Sequence, residues 1–367
     1  MADLVRQLPH GQRIPSLDGL RALSISLVLG AHALAETGSA WTFLWNGGLG
    51  VLVFFVISGF LITTLLLAER DRTGRIDLKR FYVRRAFRLL PVVAVFLCVM
   101  GGLSAAGLLP TPTRNLLAVL LFVRNYIGNG WFTGHFWSLS VEEQFYIFWP
   151  VFVLLFARRK SLLIAILLIA AAPLFRYIGY ITVGSEFHVA RIFNNGTSIV
   201  LHVDALMMGC VLGIVRSGRG KLVERVANQR PALFRLVCFV TMLSVGAARG
   251  LVDGGIAAAF GTTVQALCAT YLVASYTTVR TGWSYQLLNW PLLTWVGTLS
   301  YSLYIWQQLF LFPPITGTRW AALLPEAWLA RLVLAFAAAA VSYYGIEQPM
   351  LRVRDQVGRK ARVSFPA

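Results

Sequence analysis

Two ionisable residues, Arg21 and His32, lie eleven positions apart in the first apolar segment, RALSISLVLGAH. An ionisable side chain inside a membrane span is costly, about 2.5–3.5 kcal/mol for a central arginine, which makes each a candidate catalytic residue. In a helix this spacing puts them about 16 Å apart along the axis and on nearly the same face. Asp18, one turn before Arg21, is its candidate partner and a candidate substrate-binding residue. The alternative is a buried Arg–Asp pair and a hydrogen-bonded histidine without a chemical role.

A basic cluster follows the second apolar segment and ends in FYVRRAFRLLP. Arg84 and Arg88 are four positions apart and are predicted to share a helix face, with Arg85 displaced by one residue. Guanidinium groups bind phosphate through paired hydrogen bonds, so the cluster suits a soluble polyanionic ligand such as a nucleotide. The alternative is a loop that fixes membrane topology or binds anionic lipid. The candidate ligand-binding residues are Lys79, Tyr82, Arg84, Arg85 and Arg88.

The sequence HFWSLSVEEQFYIFWP puts two adjacent carboxylates, Glu142 and Glu143, inside an apolar predicted helix. Ser138, Glu142 and Tyr146 recur at intervals of four and so share a face. We expect one glutamate to hold the His32 imidazole in its useful tautomer, as carboxylates do for catalytic histidines. The alternative is that both glutamates join helices through hydrogen bonds. The second glutamate would pair with a buried arginine, for which the candidates are Arg21, Arg124 and Arg176.

The other candidate substrate-binding residues are polar or aromatic side chains in or near apolar segments: Ser58, Trp137, Tyr301 and Gln307. Ser58 precedes Gly59, and small residues of this kind permit close approach of a second helix. The four cysteines lack the spacing of a metal site or a disulfide framework, so we expect packing roles for them and no metal.

The composition is typical of a polytopic helical membrane protein. Of all residues 57% are hydrophobic and only 13% are charged, which excludes an ordinary soluble domain. A shorter apolar run near 114–136 is expected to be re-entrant or to lie on the surface. We therefore predict an all-α bundle with about ten transmembrane helices, since about 20 residues span a bilayer. The predicted spans are 17–35, 47–68, 89–109, 137–157, 161–180, 198–215, 235–250, 255–278, 292–312 and 327–346.

Lysine and arginine are concentrated in alternate loops of this arrangement, which predicts that both termini are cytoplasmic. The predicted location is a cell inner membrane. The predicted divisions are a cytoplasmic tail over 1–16, a transmembrane domain over 17–346 and a basic cytoplasmic tail over 347–367. The net charge of +18 then reflects topology and contact with membrane lipids, and nucleic acid is not an expected partner.

Six motifs, taken in order, carry a resemblance to a known family: RIPSLDGLRALSISLVLGAH, VFFVISGFLI, FYVRRAFRLLP, HFWSLSVEEQFYIFWP, SYSLYIW and YYGIEQP. Together they resemble the membrane acyltransferase 3 family, and the resemblance runs from Arg13 to about Arg352. That family contains O-acyltransferases that modify surface polysaccharides, lipo-oligosaccharides, peptidoglycan and some macrolides.

The resemblance implies site roles residue by residue. Arg21 and His32 correspond to the pair at the centre of the catalytic pocket. Glu142 and Glu143 correspond to carboxylates of that pocket. The residues that correspond to contacts with the phosphates of acyl-CoA are Arg84, Arg85 and Arg88.

Three features depart from the family pattern. Leu52 and Gln307 stand where many members have aspartate and histidine, so we expect His32 to act without a second histidine relay. An SGNH-type esterase domain, which some members append, is not found in this sequence. We therefore expect acyl transfer to finish within the membrane domain or to be passed to a separate protein.

The resemblance implies transfer of an acyl group, in the simplest case acetyl, from cytoplasmic acetyl-CoA or another acyl-CoA to a hydroxyl of a surface carbohydrate or glycolipid intermediate. His32 would be the general base, because imidazole exchanges protons near neutral pH. A transient acyl-enzyme on His32, Ser58, Ser138 or Tyr146 is an alternative route. Two other functions stay open: acylation of a macrolide or other small molecule, and a proton-coupled transporter or flippase. The arginine cluster and the lack of an internal repeat favour the enzyme over a transporter.

Overall fold

The computed structural model describes residues 14–34, 46–182, 196–247, 254–312 and 317–363, and within these ranges the regular structure is helical, with no strand. This agrees with the all-α prediction. The predicted tail 1–16 falls almost wholly outside the described residues.

The helices of the first half carry most of the predicted site. A short turn of residues 74–77 joins the second and third of them. The bounds are α1 Pro15–Leu34, α2 Gly47–Thr73, α3 Leu78–Ala105, α4 Thr113–Leu120, α5 Phe136–Leu155 and α6 Arg158–Ile181.

The second half is also helical and begins with a one-turn 3₁₀ helix, Ile199–Leu201. It also contains a π-helical turn, Tyr343–Glu347, through which the chain passes directly into the last helix. The bounds are α7 Val203–Asn228, α8 Pro231–Ala247, α9 Gly254–Thr278, α10 Trp283–Leu288, α11 Pro291–Phe310, α12 Arg319–Ala322, α13 Trp328–Ser342 and α14 Gln348–Val363.

Local sequence signals explain where α2 and α3 begin and end. The side chain of Asn46 accepts a hydrogen bond from the Leu49 backbone N–H and caps the start of α2. Gly74 ends α2 in the left-handed conformation, with φ of 73°, which glycine adopts without a steric penalty. Asp77 then caps α3 by accepting from the Arg80 N–H at 2.9 Å. These caps fix the turn between α2 and α3, and the basic cluster follows in the first turns of α3.

Six helices within the described ranges are long and apolar enough to cross a membrane. Each of the ten predicted spans falls on a helix, but the number that cross the bilayer stays a prediction. The segment near 114–136 contains only the eight-residue α4, which is too short to span. The six helices are Pro15–Leu34, Gly47–Thr73, Leu78–Ala105, Arg158–Ile181, Gly255–Thr278 and Trp328–Gln356.

Glycines permit two close helix crossings around the site. A Cβ atom at Gly59 of α2 would lie 2.0 Å from the carbonyl oxygen of Leu206 in α7. A Cβ atom at Gly297 of α11 would lie 1.8 Å from the carbonyl oxygen of Asp18 in α1. Only residues without a side chain allow such contact between helix backbones. The crossings hold α2 against α7 and α11 against α1.

Candidate active site

A polar cavity of about 80 Å³ lies among α1, α2, α3, α5 and α11; we call it the central cavity. Half of the site residues predicted from the sequence line this cavity, and they come from five helices that are distant along the chain. The polar and charged lining residues are Arg21, Ser58, Arg85, Arg88, Ser138, Glu142, Tyr146, Ser300, Tyr301 and Tyr304.

Three arginines, Arg21, Arg85 and Arg88, border the central cavity. Arg21 pairs with Asp18, with a nitrogen–oxygen distance of 3.6 Å. The Arg85 guanidinium lies over the Tyr146 ring, 3.5 Å from its centroid, in a cation–π contact. Its Nε atom is buried and has no hydrogen-bond partner in the described part of the chain. Three cations border a cavity with one lining carboxylate, and Arg21 is in addition paired with Asp18, so an excess of positive charge remains. Because uncompensated buried charge is costly, the cavity favours an anionic ligand group.

The basic cluster divides differently from the sequence prediction. The spacing of four put Arg84 and Arg88 on a common face, but Arg85 and Arg88 line the cavity and Arg84 is exposed. Residues three or four apart both lie near one face, so spacing alone could not choose between Arg84 and Arg85. The rotation of α3 about its own axis decides which of the two arginines faces the cavity. That rotation depends on which apolar residues of α3 are buried. Lys79 is exposed, and the Tyr82 hydroxyl donates to a backbone carbonyl of α5 at 2.9 Å.

Glu142 is the carboxylate of the central cavity. Its Oε1 atom accepts a hydrogen bond from the Ser58 hydroxyl and another from the Tyr146 hydroxyl at 3.2 Å. Ser138, one turn before Glu142, lines the same cavity. Glu143 is not part of the lining, and its Oε1 atom is buried without a hydrogen-bond partner among the described residues. The two adjacent glutamates therefore have different surroundings.

His32 lies near the C-terminal end of α1, outside the cavity lining, and is half-buried. Its Nδ1 atom is 2.6 Å from Oε1 of Gln307, and its Nε2 atom is 3.4 Å from Nε2 of Gln308. The Trp131 ring packs edge-on against the imidazole, with centroids 5.1 Å apart. Two amides, and not a glutamate as predicted, therefore hold the imidazole, since Glu142 is engaged by hydroxyl groups of α2 and α5.

The amide orientations of Gln308 and Gln307 correspond to one tautomer of His32. Oε1 of Gln308 lies 3.1 Å from the backbone N–H of His135, and in this orientation the amide nitrogen of Gln308 faces His32. That nitrogen donates to Nε2 of His32, which must then carry a lone pair. The hydrogen of the neutral ring is on Nδ1 and is donated to Gln307. Nε2 is thus the basic atom of His32.

Like Tyr304, His135 is a site residue that the sequence reasoning missed. It is 3% exposed, with Nδ1 2.7 Å from Oε1 of Gln308 and Nε2 3.0 Å from the carbonyl oxygen of Ile305. The hydroxyl of Tyr304, a cavity residue, donates to the backbone carbonyl of His135 at 2.9 Å. His135 therefore connects the central cavity to His32. Its signal in the sequence was an imidazole directly before the helix with two glutamates.

The other two arginines considered as glutamate partners are bonded elsewhere. Arg176 binds the carboxylate of Asp204, with a distance of 2.8 Å, and both side chains are buried. Arg124 donates to Thr133 and to backbone carbonyls of the turn after α4, including that of Gly128 at 2.9 Å. These arginines hold α6 to α7 and shape the turn before α5, respectively.

Two remaining predicted substrate-binding residues have separate positions. Tyr301 lines the central cavity and donates to the backbone carbonyl of Leu89 at 3.0 Å. Trp137 packs instead against the His202 ring, with centroids 4.9 Å apart. Among the described residues no group of three or more His, Cys, Asp or Glu side chains is placed to hold a metal ion.

Comparison with known proteins gives a family match and several relatives. A family model described as an acyltransferase domain matches residues 14–347. "Putative O-acetyltransferase SACOL0978" of Staphylococcus aureus is 31% identical over 325 residues, which cover 80% of this chain and 50% of that protein. "Peptidoglycan O-acetyltransferase OatA" of Listeria monocytogenes is 29% identical over 371 residues, which cover 92% of this chain and 56% of that protein.

A third relative extends the same pattern. "Putative peptidoglycan O-acetyltransferase YrhL" of Bacillus subtilis is 28% identical over 381 residues, which cover 93% of this chain and 55% of that protein. The chain thus spans about half the length of the curated relatives it matches. No solved structure matches it.

Proposed function

The chain belongs to the acyltransferase family whose model covers residues 14–347, and on that premise we propose that it is an acyl-CoA-dependent O-acetyltransferase of a cell inner membrane. The donor would be cytoplasmic acetyl-CoA, and the acceptor a hydroxyl group of an envelope carbohydrate or glycolipid. Relatives named as O-acetyltransferases, two of them of peptidoglycan, support the reaction and the acceptor class.

The arginines of the central cavity support the anionic donor. Arg21, Arg85 and Arg88 border one small cavity with a single lining carboxylate, so an entering phosphate would relieve their mutual repulsion. Guanidinium groups also give paired hydrogen bonds to phosphate oxygens. Arg85 in particular has a buried Nε donor without a partner in the described part of the chain. These arginines would bind the phosphate-bearing end of acetyl-CoA.

The contacts of the His32 ring are the observation that carries the catalytic proposal. In the Nδ1–H tautomer the ring donates to Gln307 at 2.6 Å. The lone pair of Nε2 faces the amide nitrogen of Gln308 at the long distance of 3.4 Å. An incoming hydroxyl can replace such a weak donor. His32 is also half-buried rather than enclosed. It would therefore be the general base toward an acceptor hydroxyl.

In the proposed reaction His32 Nε2 takes the proton of the acceptor hydroxyl while the hydroxyl oxygen bonds to the thioester carbonyl carbon. The carbon–sulfur bond then breaks, and the proton on His32 passes to the sulfur of the leaving thiol. Glu142 would keep the Ser58 and Tyr146 hydroxyls in place and offset part of the arginine charge. The roles of these residues rest on their contacts in and beside the cavity.

The arrangement of α1 supports transfer between the two sides of the membrane. Arg21 lies near the start of the helix and His32 near its end, about 16 Å apart along the axis. With the N-terminus cytoplasmic, the arginines would face the donor and His32 the acceptor on the outer side. This orientation follows the distribution of Lys and Arg in the loops.

The test uses purified protein in nanodiscs with acetyl-CoA and soluble peptidoglycan fragments. We expect acceptor-dependent release of free CoA thiol from the wild type. His32→Ala should lose at least about 100-fold in rate, the scale of general-base catalysis, while expression and membrane insertion stay normal. A wild type that neither binds CoA nor releases thiol would refute the function, and an active His32→Ala would refute only the role of His32.

A further inference from the structure

A second and much larger cavity, of about 610 Å³, lies where α3 ends and α12 begins; we call it the loop pocket. Its volume is within the range of small-molecule sites in proteins, about 300–1,000 Å³, and the reaction described above does not use it. Among the described lining residues only Arg319 is ionisable. The lining residues are Ser104, Gly107, Leu108, Leu109, Pro110, Thr111, Pro112, Gly317, Thr318 and Arg319.

Hydrogen bonds hold the two walls of the loop pocket together. The hydroxyl of Ser104 donates to the carbonyl of Thr111 at 3.2 Å and ties the loop after α3 to the end of that helix. The backbone N–H of Trp320 in α12 donates to the carbonyl of Leu108 at 3.1 Å and joins this loop to α12. The walls are therefore bonded to each other without a ligand, as in most small-molecule sites.

The loop pocket lies at the same end of the bundle as His32. The indole of Trp320, the residue directly after the pocket, donates to the carbonyl of Leu309 at 2.8 Å in the last turn of α11. The preceding residue, Gln308, contacts His32. Because a helix with its side chains is about 10–12 Å across, about one helix width separates the pocket wall from the imidazole. A saccharide of a few linked rings spans such a distance.

The lining indicates which kind of ligand the loop pocket accepts. Arg319 is exposed, and its guanidinium fork matches the two oxygens of a carboxylate. The described lining contains no acidic residue that would neutralise this charge. Thr111 adds a wall residue that is 9% exposed and whose hydroxyl has no hydrogen-bond partner in the described part of the chain. Buried hydroxyls are nearly always paired, so a polar ligand group is expected against this wall.

We propose that the loop pocket binds an acidic saccharide unit of the acceptor, with a carboxylate on Arg319, and thereby presents a neighbouring sugar hydroxyl to His32. This inference rests on the proposed O-acyltransferase function and adds an acceptor-binding site to it. Arg319 would select acceptors by their charge and would take no part in the chemical step. The site would bind its ligand without any covalent change.

The test compares one acceptor in two forms. Soluble peptidoglycan fragments are used either with free carboxylates or with the same groups converted to methyl amides, so that the two ligands differ in charge. Arg319→Gln removes the charge of the pocket, Arg319→Glu reverses it, and Thr111→Val removes the hydroxyl at nearly constant shape. The matched control is Arg114→Gln, which changes an exposed arginine of α4 outside the lining.

Two measurements are made on protein in nanodiscs. Binding of each fragment is measured without acetyl-CoA by saturation-transfer NMR, and the KM for each fragment is measured by thiol release. We expect the wild type to bind the free fragments about tenfold more tightly than the amides, the scale of a hydrogen bond to a charged group. Arg319→Gln should remove most of this preference, and Arg319→Glu should favour the amides.

The other variants should behave differently from the Arg319 pair. Thr111→Val should weaken the binding of both fragments by about two- to tenfold, the scale of one neutral hydrogen bond. Arg114→Gln should keep the wild-type preference for the free fragments. The KM for acetyl-CoA should be the same in every variant, because the donor is bound at the central cavity. A single size-exclusion peak checks that each variant is folded.

Equal binding of the two fragments by the wild type, or an unchanged preference in both Arg319 variants, would overturn the inference. Continued thiol release in that case would leave the O-acyltransferase function in place. Arg319-dependent binding without any thiol release would instead remove the proposed function and keep the loop pocket as a saccharide site. The failure of the inference and the failure of the function are therefore distinguishable.

Discussion

Replacing Arg88 by alanine should weaken the use of acetyl-CoA far more than replacing Arg84. Arg88 borders the central cavity, whereas Arg84, one turn earlier on the same helix, is exposed. A hydrogen bond to a charged group is worth about 1.5–3 kcal/mol, and about 1.4 kcal/mol corresponds to a factor of ten. The KM for acetyl-CoA should therefore rise about 10- to 150-fold in Arg88→Ala. An exposed ionic contact is worth about 0–1 kcal/mol, so Arg84→Ala should change KM less than about fivefold.

The assay measures initial rates of thiol release against donor concentration for protein in nanodiscs. Acetyl-pantetheine serves as a second donor, because it keeps the thioester and lacks the phosphates of CoA. If Arg88 binds phosphate, its replacement should have almost no effect on the KM for acetyl-pantetheine. Raising the salt concentration should also narrow the difference between wild type and Arg88→Ala with acetyl-CoA.

Equal effects of the Arg84 and Arg88 substitutions would refute the division of the basic cluster between the cavity and the surface. A penalty in Arg88→Ala that persists with acetyl-pantetheine would refute the phosphate contact and place the arginine near the thioester or in a structural role. The pair is informative because the two arginines share helix and residue type and differ mainly in exposure.

Two further predictions concern stability and the carboxylate. Gly59→Ala should lower the melting temperature by several degrees, because the added Cβ would lie 2.0 Å from a backbone oxygen of α7. The control Gly101→Ala, with no atom within 4 Å of its Cβ, should leave the melting temperature unchanged or slightly raised. Equal melting temperatures for the two variants would contradict the close crossing. Glu142→Leu should reduce turnover and melting temperature more than Glu142→Gln, since an amide oxygen can still accept from Ser58 and Tyr146. Thiol release measures the turnover, and thermal unfolding measures the melting temperature. A milder effect of leucine than of glutamine would argue against the hydroxyl contacts.

Much of the fold was predictable because long apolar segments in the sequence indicate where helices form. Each predicted apolar segment overlaps a helix, and the eight-residue α4 fits the expected non-spanning region. Individual lengths were less predictable. The last helix does not stop at the end of the predicted span but continues through Tyr343–Glu347 into the polar α14, because hydropathy marks where the apolar stretch ends and not where the helix ends.

The candidate site was predictable where residues share one helix and not where they meet across helices. The spacing of Ser138, Glu142 and Tyr146 is enough to bring them to one face, and they line one cavity. The partners of His32 come from α11, over 270 positions along the chain. Periodicity carries no information on such contacts, so the sequence offered a glutamate where the structure has Gln307.

The contacts beyond the cavity explain why two amides can serve where a carboxylate was expected. A glutamate at Nδ1 would fix the same tautomer and also make the ring more basic, but it would add a second buried charge beside His32. Gln307 and Gln308 contact both ring nitrogens without adding charge, and Oε1 of Gln308 in turn accepts from the backbone N–H of His135. The position therefore gives up basicity of the imidazole and avoids a second buried charge, which is costly when it is not fully compensated.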